Sequence, residues 1–266
     1  YLSKMSLTII LPTLNEAENI SILIEDIQNQ FKDIDFEIIV VDDQSTDSTQ
    51  QEVQSYAEID ARVKLISRKF PDGLANAIKV GLQASSTDYI AWMDADGSMP
   101  VKDLKRMWEV ILKTDFEVVI GSRFVNGGVV KGGVSSNKNL ISIYRNLKIS
   151  EDTFLAVLFS KLMNIFLKIF LRSKIHDLTS GFIIINKNLI SPNDFCGYYG
   201  EYFPILIKIL EIKNTLIYET PYINLPRYRG RSKTGSNFIQ LVKRGFPYLT
   251  LSAKFMIKHK LLRRKC

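Results

Sequence analysis

The amino-acid sequence predicts an α/β fold with a mostly parallel sheet and helices on both of its faces. β-Branched apolar runs alternate with helical patterns along the first half of the chain, an order typical of parallel sheets. Acidic clusters directly follow two of these runs, and ligands bind beyond the carboxyl ends of the strands in such sheets. At 266 residues and 46% hydrophobic, the chain is long enough for one large domain of this class.

The elements of the first half follow from this alternation. The first helix has apolar residues at helical spacing from Ile20 to Ile27, and the fourth helix begins after Pro100. The strands are short apolar runs bounded by polar residues. We expect strands at 7–11, 36–41, 63–66, 88–93 and 116–120, and helices at 15–31, 47–59, 73–83 and 101–113.

The second half of the chain is less regular. A glycine-rich polar stretch at 127–139 is typical of a loop, and apolar runs at 181–186 and 215–219 predict further strands. Residues 237–260 mix aromatic residues with lysines and predict a helical segment that is broken near Pro247. The expected fold therefore ends in amphipathic helices.

An apolar helix is expected at 154–171, with one polar stripe formed by Lys161, Asn164 and Lys168. A membrane-spanning helix needs roughly 20 apolar residues with few or no charges, so the stripe argues against a span. A buried core helix and a helix lying in a membrane interface both fit the pattern. The sequence leaves these two interpretations open.

Charge is distributed unevenly along the chain. Residues 1–60 contain thirteen acidic and two basic residues, whereas residues 220–266 contain twelve basic residues and no acidic one. Because this tail is also rich in aromatic and aliphatic residues, its expected partner is an anionic surface, either lipid or nucleic acid. The basic residues match no nucleic-acid recognition motif, so we expect no nucleic-acid partner.

Cysteine usage indicates a reducing compartment. Cys196 and Cys266 are far apart, and with only two histidines in the chain they argue against a disulfide framework and against a Cys/His zinc site. The residues before Met5 lack a charged region followed by an apolar core, so no secretory signal is expected.

The sequence Asp94-Ala-Asp96 directly follows the expected strand at 88–93. Two carboxylates two residues apart at a strand end can share a divalent cation and its bound phosphate oxygens. Mg²⁺ and Mn²⁺ prefer oxygen ligands of this kind. Turns are also rich in Asp for structural reasons, so the pair by itself is weak evidence for a metal site.

Asp42 and Asp43 end the second strand in the same way. Asp47 is expected to cap the next helix, but two adjacent acids at a strand end suit hydrogen bonds from the base or ribose of a nucleotide. The first strand ends in the polar sequence 12–16, on the same rim of the sheet. No glycine-rich phosphate-binding turn follows that strand, so we expect a metal and basic side chains to hold the phosphates.

Seven motifs resemble one enzyme family in their order and spacing. The first five resemble family 2 glycosyltransferases with the GT-A fold: Pro12-Thr-Leu-Asn-Glu16, Val40-Val-Asp-Asp-Gln-Ser-Thr-Asp47, Gly73-Leu-Ala-Asn-Ala77, Asp94-Ala-Asp-Gly-Ser-Met-Pro100 and Gly121-Ser-Arg123. The last two resemble the branch of dolichol-phosphate mannose synthases and bacterial polyprenyl-phosphate glycosyltransferases: Asp177-Leu-Thr-Ser-Gly-Phe182 and Arg227-Tyr-Arg-Gly-Arg-Ser-Lys233. The resemblance covers residues 7–233.

For the donor, the resemblance implies one set of nucleotide-sugar-binding residues. Asp94 and Asp96 would hold the metal and the diphosphate. The whole implied set is Pro12, Asn15, Glu16, Asp42, Asp43, Asp94, Ala95 and Asp96.

For the reaction, the resemblance implies that Arg123 approaches the acceptor phosphate and that Asp177 faces the sugar, where its action as a base is left open. Arg227 and Lys233 would lie on a mobile segment that closes over the phosphates. The implied catalytic set is therefore Asp96, Arg123, Asp177, Arg227 and Lys233.

Three positions depart from the family's pattern. Met99 stands where a His is usual, and Ala75 replaces the second Gly of a Gly-Leu-Gly turn. If Ser160 and Asn164 match the family's Ser-x-x-x-Asn, then Ala156 stands where an acceptor-binding Arg is expected. Arg145 is the candidate replacement, and the implied acceptor-phosphate set is Arg123, Arg145 and Ser160.

The resemblance implies transfer of a hexose from GDP-mannose or UDP-glucose to a polyprenyl or dolichyl phosphate, with inversion and with Mg²⁺ or Mn²⁺. We expect a catalytic domain at 1–235 and a basic helical tail at 236–266 that contacts an anionic membrane surface, so that the protein lies peripherally on the cytoplasmic face. Two alternatives stay open: a family 2 transferase acting on a cell-surface saccharide, and a non-catalytic membrane-bound relative.

Overall fold

The computed structural model describes residues 5–70, 72–130, 154–229 and 238–263, with only the backbone described at 154–157, 238–242, 244 and 260–263. The strands are β1 Leu7–Thr13, β2 Phe36–Asp42, β3 Val63–Ser67, β4 Tyr89–Trp92, β5 Val118–Ser122, β6 Ile183–Asn186 and β7 Ile217–Pro221. The α-helices are α1 Ala17–Gln30, α2 Thr49–Ile59, α3 Leu74–Ala84, α4 Val101–Lys113, α5 Phe154–Leu171, α6 Tyr202–Ile212 and α7 Phe238–Arg263.

The strands form one seven-stranded sheet in the order β3-β2-β1-β4-β6-β5-β7. β1 pairs in parallel with β2 and β4, β2 with β3, and β5 with β7. Only β6 runs antiparallel, between β4 and β5. The expected mostly parallel sheet is therefore confirmed.

Two apolar layers cover the sheet, one on each face. On one face α1 and α4 contribute fully buried side chains such as Leu23 and Trp108. On the other face α3, α5 and α6 contribute Ile78, Leu167 and Leu206. Because both faces of the sheet are covered, the central strands are apolar on both sides, which explains their nearly continuous apolar runs.

Helix α6 was not among the sequence predictions. Its sequence is apolar on nearly every side, with Tyr202, Phe203 and Leu206 all buried. A helix without a polar face shows no amphipathic period, so it cannot be recognised by periodicity.

The break expected near Pro247 was wrong, because α7 continues through this proline from Phe238 to Arg263. A proline removes one backbone hydrogen bond from a helix, while α7 gains packing against α5 and α6. Gly245 lies against Phe159 and Met163 of α5, where an added Cβ would come within 2.8 Å of both side chains.

Helix α5 has one buried side and one exposed apolar side. Asn164, Leu167 and Leu171 are buried against the body of the protein. Large apolar residues on its other side are exposed, among them Leu162 at 56% and Ile169 at 72%. In the part of the chain that the structure describes, no helix is both long and apolar enough to cross a membrane.

The strand order places a crevice at one edge of the sheet. From β1 the chain runs outward to β2 and β3, and it then returns to β4 on the other side of β1. The carboxyl ends of β2, β1 and β4 therefore lie side by side, and the order reverses between β1 and β4. In open α/β sheets this point is where ligands bind.

Candidate active site

The turn after β4 carries Asp94 and Asp96 at the edge of this crevice. Gly97 has a φ of 77°, a conformation that glycine adopts without strain, and the ring of Tyr228 packs where a Cβ would lie. The amide of Ser98 donates to Asp96 Oδ1 over 2.9 Å. Met99, which replaces the usual His, is buried, and its sulfur accepts the amide of Asp94 at 3.4 Å. The turn is therefore held in shape by its own residues and by the ring of Tyr228.

Asp94 is the more open of the two carboxylates. Its side chain reaches solvent in the crevice, although protein atoms surround it. Burial, and next the charge of Asp96, raise the pKa of Asp94 to about 7, while Arg227 and Arg123 act in the opposite direction. Concentrated negative charge at this point favours the binding of a cation.

The two carboxylates fit a cation that is shared with phosphate oxygens. Within the described residues, no group of three or more His, Cys, Asp or Glu side chains is placed to hold a metal. Mg²⁺ and Mn²⁺ commonly bind through one or two carboxylates and complete their coordination with water and substrate phosphates. Asp94 and Asp96 supply this smaller set.

Arg227 approaches Asp96 from the segment after β7. Its Nε lies 3.0 Å from Asp96 Oδ2, and its Nη1 lies 3.2 Å from Glu16 Oε1. The segment is also joined to the turn by the backbone, because the amide of Tyr228 donates to the carbonyl of Asp96 over 3.0 Å. Arg227 thus neutralises two acids that the sequence assigned to the donor site.

The loops after β1 and β2 form one connected rim. Asn15 has a φ of 52°, its amide donates to Ser45 Oγ over 2.7 Å, and its Oδ1 accepts the amide of Thr46 at 2.7 Å. The amide of Glu16 donates to Thr49 Oγ1 over 2.9 Å. Asp47 accepts the amide of Thr49 at 3.0 Å, but it stands one residue before Ser48, which is the N-cap of α2.

The structure places Asp42 and Asp43 differently from each other. Asp42 is fully buried and accepts hydrogen bonds from Thr13, Ser45 and Gln50. It therefore stabilises the rim from within the protein. Asp43 is also largely buried and pairs with Arg68 at 2.7 Å. Burial raises the pKa of Asp43, and Arg68 opposes that shift.

Arg68 is a rim residue that the sequence reasoning missed. It follows the carboxyl end of β3 directly, so the strand-end rule that selected the aspartates applies to it as well. Besides Asp43, it binds the carbonyl of Gly73 at 3.1 Å. Arg68 therefore joins the start of α3 to Asp43 at the end of β2.

Arg123 and Asp177 form a buried bidentate ion pair. Arg123 Nε lies 2.8 Å from Asp177 Oδ2, and Arg123 Nη2 lies 2.8 Å from Asp177 Oδ1. Asp177 is fully buried. Burial opposes the charge of Arg123, but Asp177 outweighs it and raises the pKa of the guanidinium above its usual range. Both oxygens of Asp177 are held by Arg123 in this structure, and its contact with the sugar stays a prediction.

Two residues from neighbouring elements hold the loop that carries Asp177. Asn164 of α5 accepts the amide of Leu178 at 2.8 Å and donates to the carbonyl of His176. Glu219 of β7 accepts the amides of His176 and Asp177 at 2.9 and 3.1 Å. Asn164 therefore acts in positioning this loop, and Glu219 is a second site-supporting residue that the sequence reasoning missed.

An apolar cavity of about 380 Å³ opens beside Asp94. Pro12 and Asp94 line it on the sheet side, and Ser160 lines it from α5. Gly245 and Tyr248 of α7 complete the wall. The tail helix is therefore part of the cleft, a contribution that the expected division at 235/236 did not foresee.

The cleft brings together most of the predicted residues that the structure describes. Seven of them meet at the β1–β4 crevice: Pro12, Asn15, Glu16, Asp94, Ala95, Asp96 and Arg227. Ser160 lies at the cavity. Arg123 is within electrostatic reach of Asp94, since it lowers the pKa of that carboxyl. Arg145 and Lys233 lie outside the described residues.

Comparison with known proteins identifies the family. The family model described as glycosyl transferase family 2 matches residues 8–191, more than half of the chain. The chain belongs to glycosyl transferase family 2. The resemblance found in the motifs is thereby confirmed.

Three similar curated proteins have names that contain a polyprenyl phosphate. A dolichol-phosphate mannosyltransferase of Pyrococcus furiosus is 32% identical over 234 residues, covering 86% of this chain and 59% of that protein. A dolichyl-phosphate beta-glucosyltransferase of Dictyostelium discoideum is 33% identical over 134 residues, covering 46% and 41%. An undecaprenyl-phosphate mannosyltransferase of Micrococcus luteus is 33% identical over 137 residues, covering 50% and 55%. The chain thus spans less than two thirds of the length of these relatives.

Solved structures share the fold at low sequence identity. Glucosyl-3-phosphoglycerate synthase from Mycobacterium tuberculosis superposes with a TM-score of 0.64 at 15% identity, covering 95% of this chain and 80% of that one. Mannosyl-3-phosphoglycerate synthase from Rubrobacter xylanophilus gives 0.60 at 14% identity, covering 96% and 75%. These likenesses confirm the α/β fold of GT-A type.

Proposed function

We propose that the protein transfers a hexose from a nucleotide-diphosphate sugar to a polyprenyl or dolichyl phosphate, with inversion and with a divalent cation. The observation that carries this proposal is that an acidic crevice and an apolar cavity meet at Asp94. The donor phosphates would lie in the crevice. A water-soluble saccharide acceptor would not need such a cavity, whereas the first isoprene units of a lipid phosphate would fill it.

The donor would lie across the carboxyl ends of β2, β1 and β4. Asp94 and Asp96 would hold Mg²⁺ or Mn²⁺, which supplies charge neutralisation for the leaving diphosphate. The rim at Asn15 and Asp43 offers polar groups to the nucleoside, and Arg68 keeps that rim rigid. The ordering of these groups before the donor binds is a source of catalysis, because it limits the reorganisation needed in the transition state.

The acceptor phosphate needs no base, because it is already anionic at neutral pH. One of its oxygens forms a bond to the anomeric carbon, while the bond from that carbon to the donor's β-phosphate oxygen breaks and its electron pair leaves with the diphosphate. Attack from the opposite side inverts the anomeric configuration. The chain's task is to hold two anions in line and to exclude water.

Arg123 is the proposed anchor for the acceptor phosphate. Asp177 uses both carboxylate oxygens to hold the guanidinium, which makes a positioning role fit better than that of a base. Ser160 and, from the family resemblance, Arg145 complete the proposed phosphate set. A rigid bidentate arginine is suited to a phosphate, since its remaining donors keep a fixed direction.

Acceptor competition tests the proposal. The protein would be incubated with labelled GDP-mannose or UDP-glucose, Mn²⁺, and either a polyprenyl phosphate or a panel of oligosaccharides, and then extracted with organic solvent. We expect the label to enter the organic phase only with the lipid phosphate. Label in oligosaccharides would favour a saccharide transferase, and label in neither would favour a non-catalytic relative.

We expect Arg227 to compete with the cation for Asp96, because its guanidinium is within 3.0 Å of that carboxylate. The substitution Arg227→Gln should raise the affinity for Mn²⁺ while lowering kcat, since the leaving diphosphate loses a basic partner. Calorimetric titration with Mn²⁺ and steady-state kinetics measure the two effects. Weaker Mn²⁺ binding in the variant would contradict the competition.

The substitution Lys233→Ala is predicted to lower kcat far more than it weakens the binding of the donor.

We also propose that the protein lies peripherally on the cytoplasmic face of an anionic membrane, with α5 in the interface. The exposed side of α5 carries six large apolar residues, and contiguous exposed apolar surface of this kind marks an interaction site: Leu158, Leu162, Ile165, Phe166, Ile169 and Phe170. Phe246 and Ile257 of α7 are exposed as well. Basic residues near the surface would add about 1 kcal/mol each, attenuated by salt.

Point substitutions test this membrane contact better than truncation, because removing residues after Thr234 would also remove Tyr248 from the cleft. Leu162→Glu/Ile169→Glu should weaken sedimentation with anionic vesicles by roughly tenfold or more, since each buried isoleucine or leucine contributes about 1.5–3 kcal/mol. Ile59→Glu is the matched control, because Ile59 is 87% exposed on α2. Equal sedimentation of both variants would contradict the assignment.

A further inference from the structure

A second cavity lies between α6 and α7, away from the cleft. Its volume is about 450 Å³, and it is lined by residues of α6, of α7 and of the segment 193–196. None of its lining residues lines the cavity beside Asp94. The space is within the size range of small-ligand pockets, and the proposed transfer reaction makes no use of it.

The walls of this cavity combine an apolar floor with a basic margin. Ile205 and Ile209 of α6 face Leu251 and Phe255 of α7 across it. Lys254, Lys258 and His259 follow on the same stretch of α7, and both lysines are exposed.

The charge around the cavity is unbalanced. The one acid in its lining, Asp194, accepts the amide of Ser191 at 2.8 Å as part of a helix cap. Across the described ranges, neither Lys254 nor Lys258 forms an ion pair with a carboxylate. The cavity therefore offers net positive charge beside an apolar surface.

We infer that this cavity binds one anionic phospholipid. The lipid phosphate would lie between Lys254, Lys258 and His259, and an acyl chain would cover the apolar floor. Free phosphate would leave that floor unfilled, and a neutral lipid would leave the lysines unpaired. The exposed side chains of Phe246 and Ile257 on α7 place a bilayer within reach of the same helix.

The bound lipid would also fix the position of α7. Gly245 and Tyr248 form part of the catalytic cleft, while Leu251 and Phe255 form part of the lipid cavity. Because one helix contributes to both, a lipid against the turns of α7 that carry Leu251 and Phe255 would stabilise the wall that Gly245 and Tyr248 give to the cleft. The site goes beyond the proposed transfer reaction and does not depend on it.

Cys196 provides a direct reporter of occupancy. It lines the cavity, is partly buried, and burial raises the pKa of its thiol. The substitution Cys266→Ser leaves Cys196 as the single cysteine of the chain. The rate of its alkylation by N-ethylmaleimide would be measured with short-chain phosphatidylglycerol below its micellar concentration, with phosphatidylcholine of the same chains, and with inorganic phosphate.

We expect phosphatidylglycerol to slow alkylation saturably, by about tenfold when it is at about ten times its Kd. Lys254→Gln/Lys258→Gln should abolish the protection. Lys243→Gln is the control, because Lys243 is an exposed lysine of the same helix outside the cavity. The inference is overturned if phosphatidylglycerol gives no protection, if phosphatidylcholine or phosphate protects equally, or if the double variant is still protected. The readout needs no transfer activity, so its failure is separate from failure of the proposed function.

Discussion

Replacing Asp96 by Asn is expected to reduce hexosyl transfer by on the order of a hundredfold or more, since the group acts on charge that develops in the transition state. The carboxylate lies at the β1–β4 crevice, where it receives the amide of Ser98 and the guanidinium of Arg227. An amide side chain keeps the volume but loses the charge that a divalent cation needs. Steady-state kinetics with and without chelator would measure the loss.

Asp88→Asn is the control for this substitution. Asp88 stands just before β4, at the opposite end of the strand, and its carboxylate accepts hydrogen bonds from Ser6. This variant should retain transfer and metal dependence. Full activity of Asp96→Asn, or full activity of the unchanged protein in excess chelator, would rule out the proposed metal site.

Replacing Asp177 by Asn is expected to destabilise the protein and to abolish transfer. The substitution leaves the guanidinium of Arg123 without its charge partner in a site where Asp177 is fully buried. Removing one partner of a buried ion pair commonly costs about 3–5 kcal/mol of unfolding free energy. Urea denaturation would measure this cost, and the transfer assay would measure the loss of acceptor binding.

Glu109→Gln is the control at the surface. Glu109 pairs with Lys113 at 3.2 Å, and their side chains are 45% and 72% exposed. Exposed pairs contribute about 0–1 kcal/mol, so this variant should unfold nearly like the unchanged protein and keep its activity. Equal losses of unfolding free energy in the two variants would show that the buried Arg123–Asp177 pair stabilises the protein no more than an exposed pair does.

The fold was largely predictable because the first half of the chain alternates two clear periods. The predicted strands and helices of residues 7–120 correspond to β1–β5 and α1–α4 with small shifts at their ends. The direction of β6 was not predictable, because a short apolar run does not reveal whether its neighbours are parallel or antiparallel. Helix α6 was not predicted for the related reason that it is buried on nearly all sides and shows no amphipathic period.

The candidate site was predictable as far as strand ends determine it. Asp94, Asp96 and Glu16 follow strands whose carboxyl ends meet, so their proximity followed from the topology. Partners far apart in sequence were not predictable. Arg227 meets Glu16 across 211 positions, and the place of Tyr248 in the cleft depends on how α7 packs. Asp177 faces Arg123 because the loop that carries it is held by Asn164 and Glu219.

Mass spectrometry of the lipid product tests the central claim most directly. The protein would be given Mn²⁺, a polyprenyl phosphate and a nucleotide-diphosphate hexose, and the organic phase would be analysed together with the released nucleotide. Hexosyl transfer predicts a lipid that gains one hexose and no additional phosphate, with one nucleoside diphosphate released for each lipid formed. A lipid that gains a hexose phosphate, with release of nucleoside monophosphate, or an unchanged lipid with every donor tested, would contradict it.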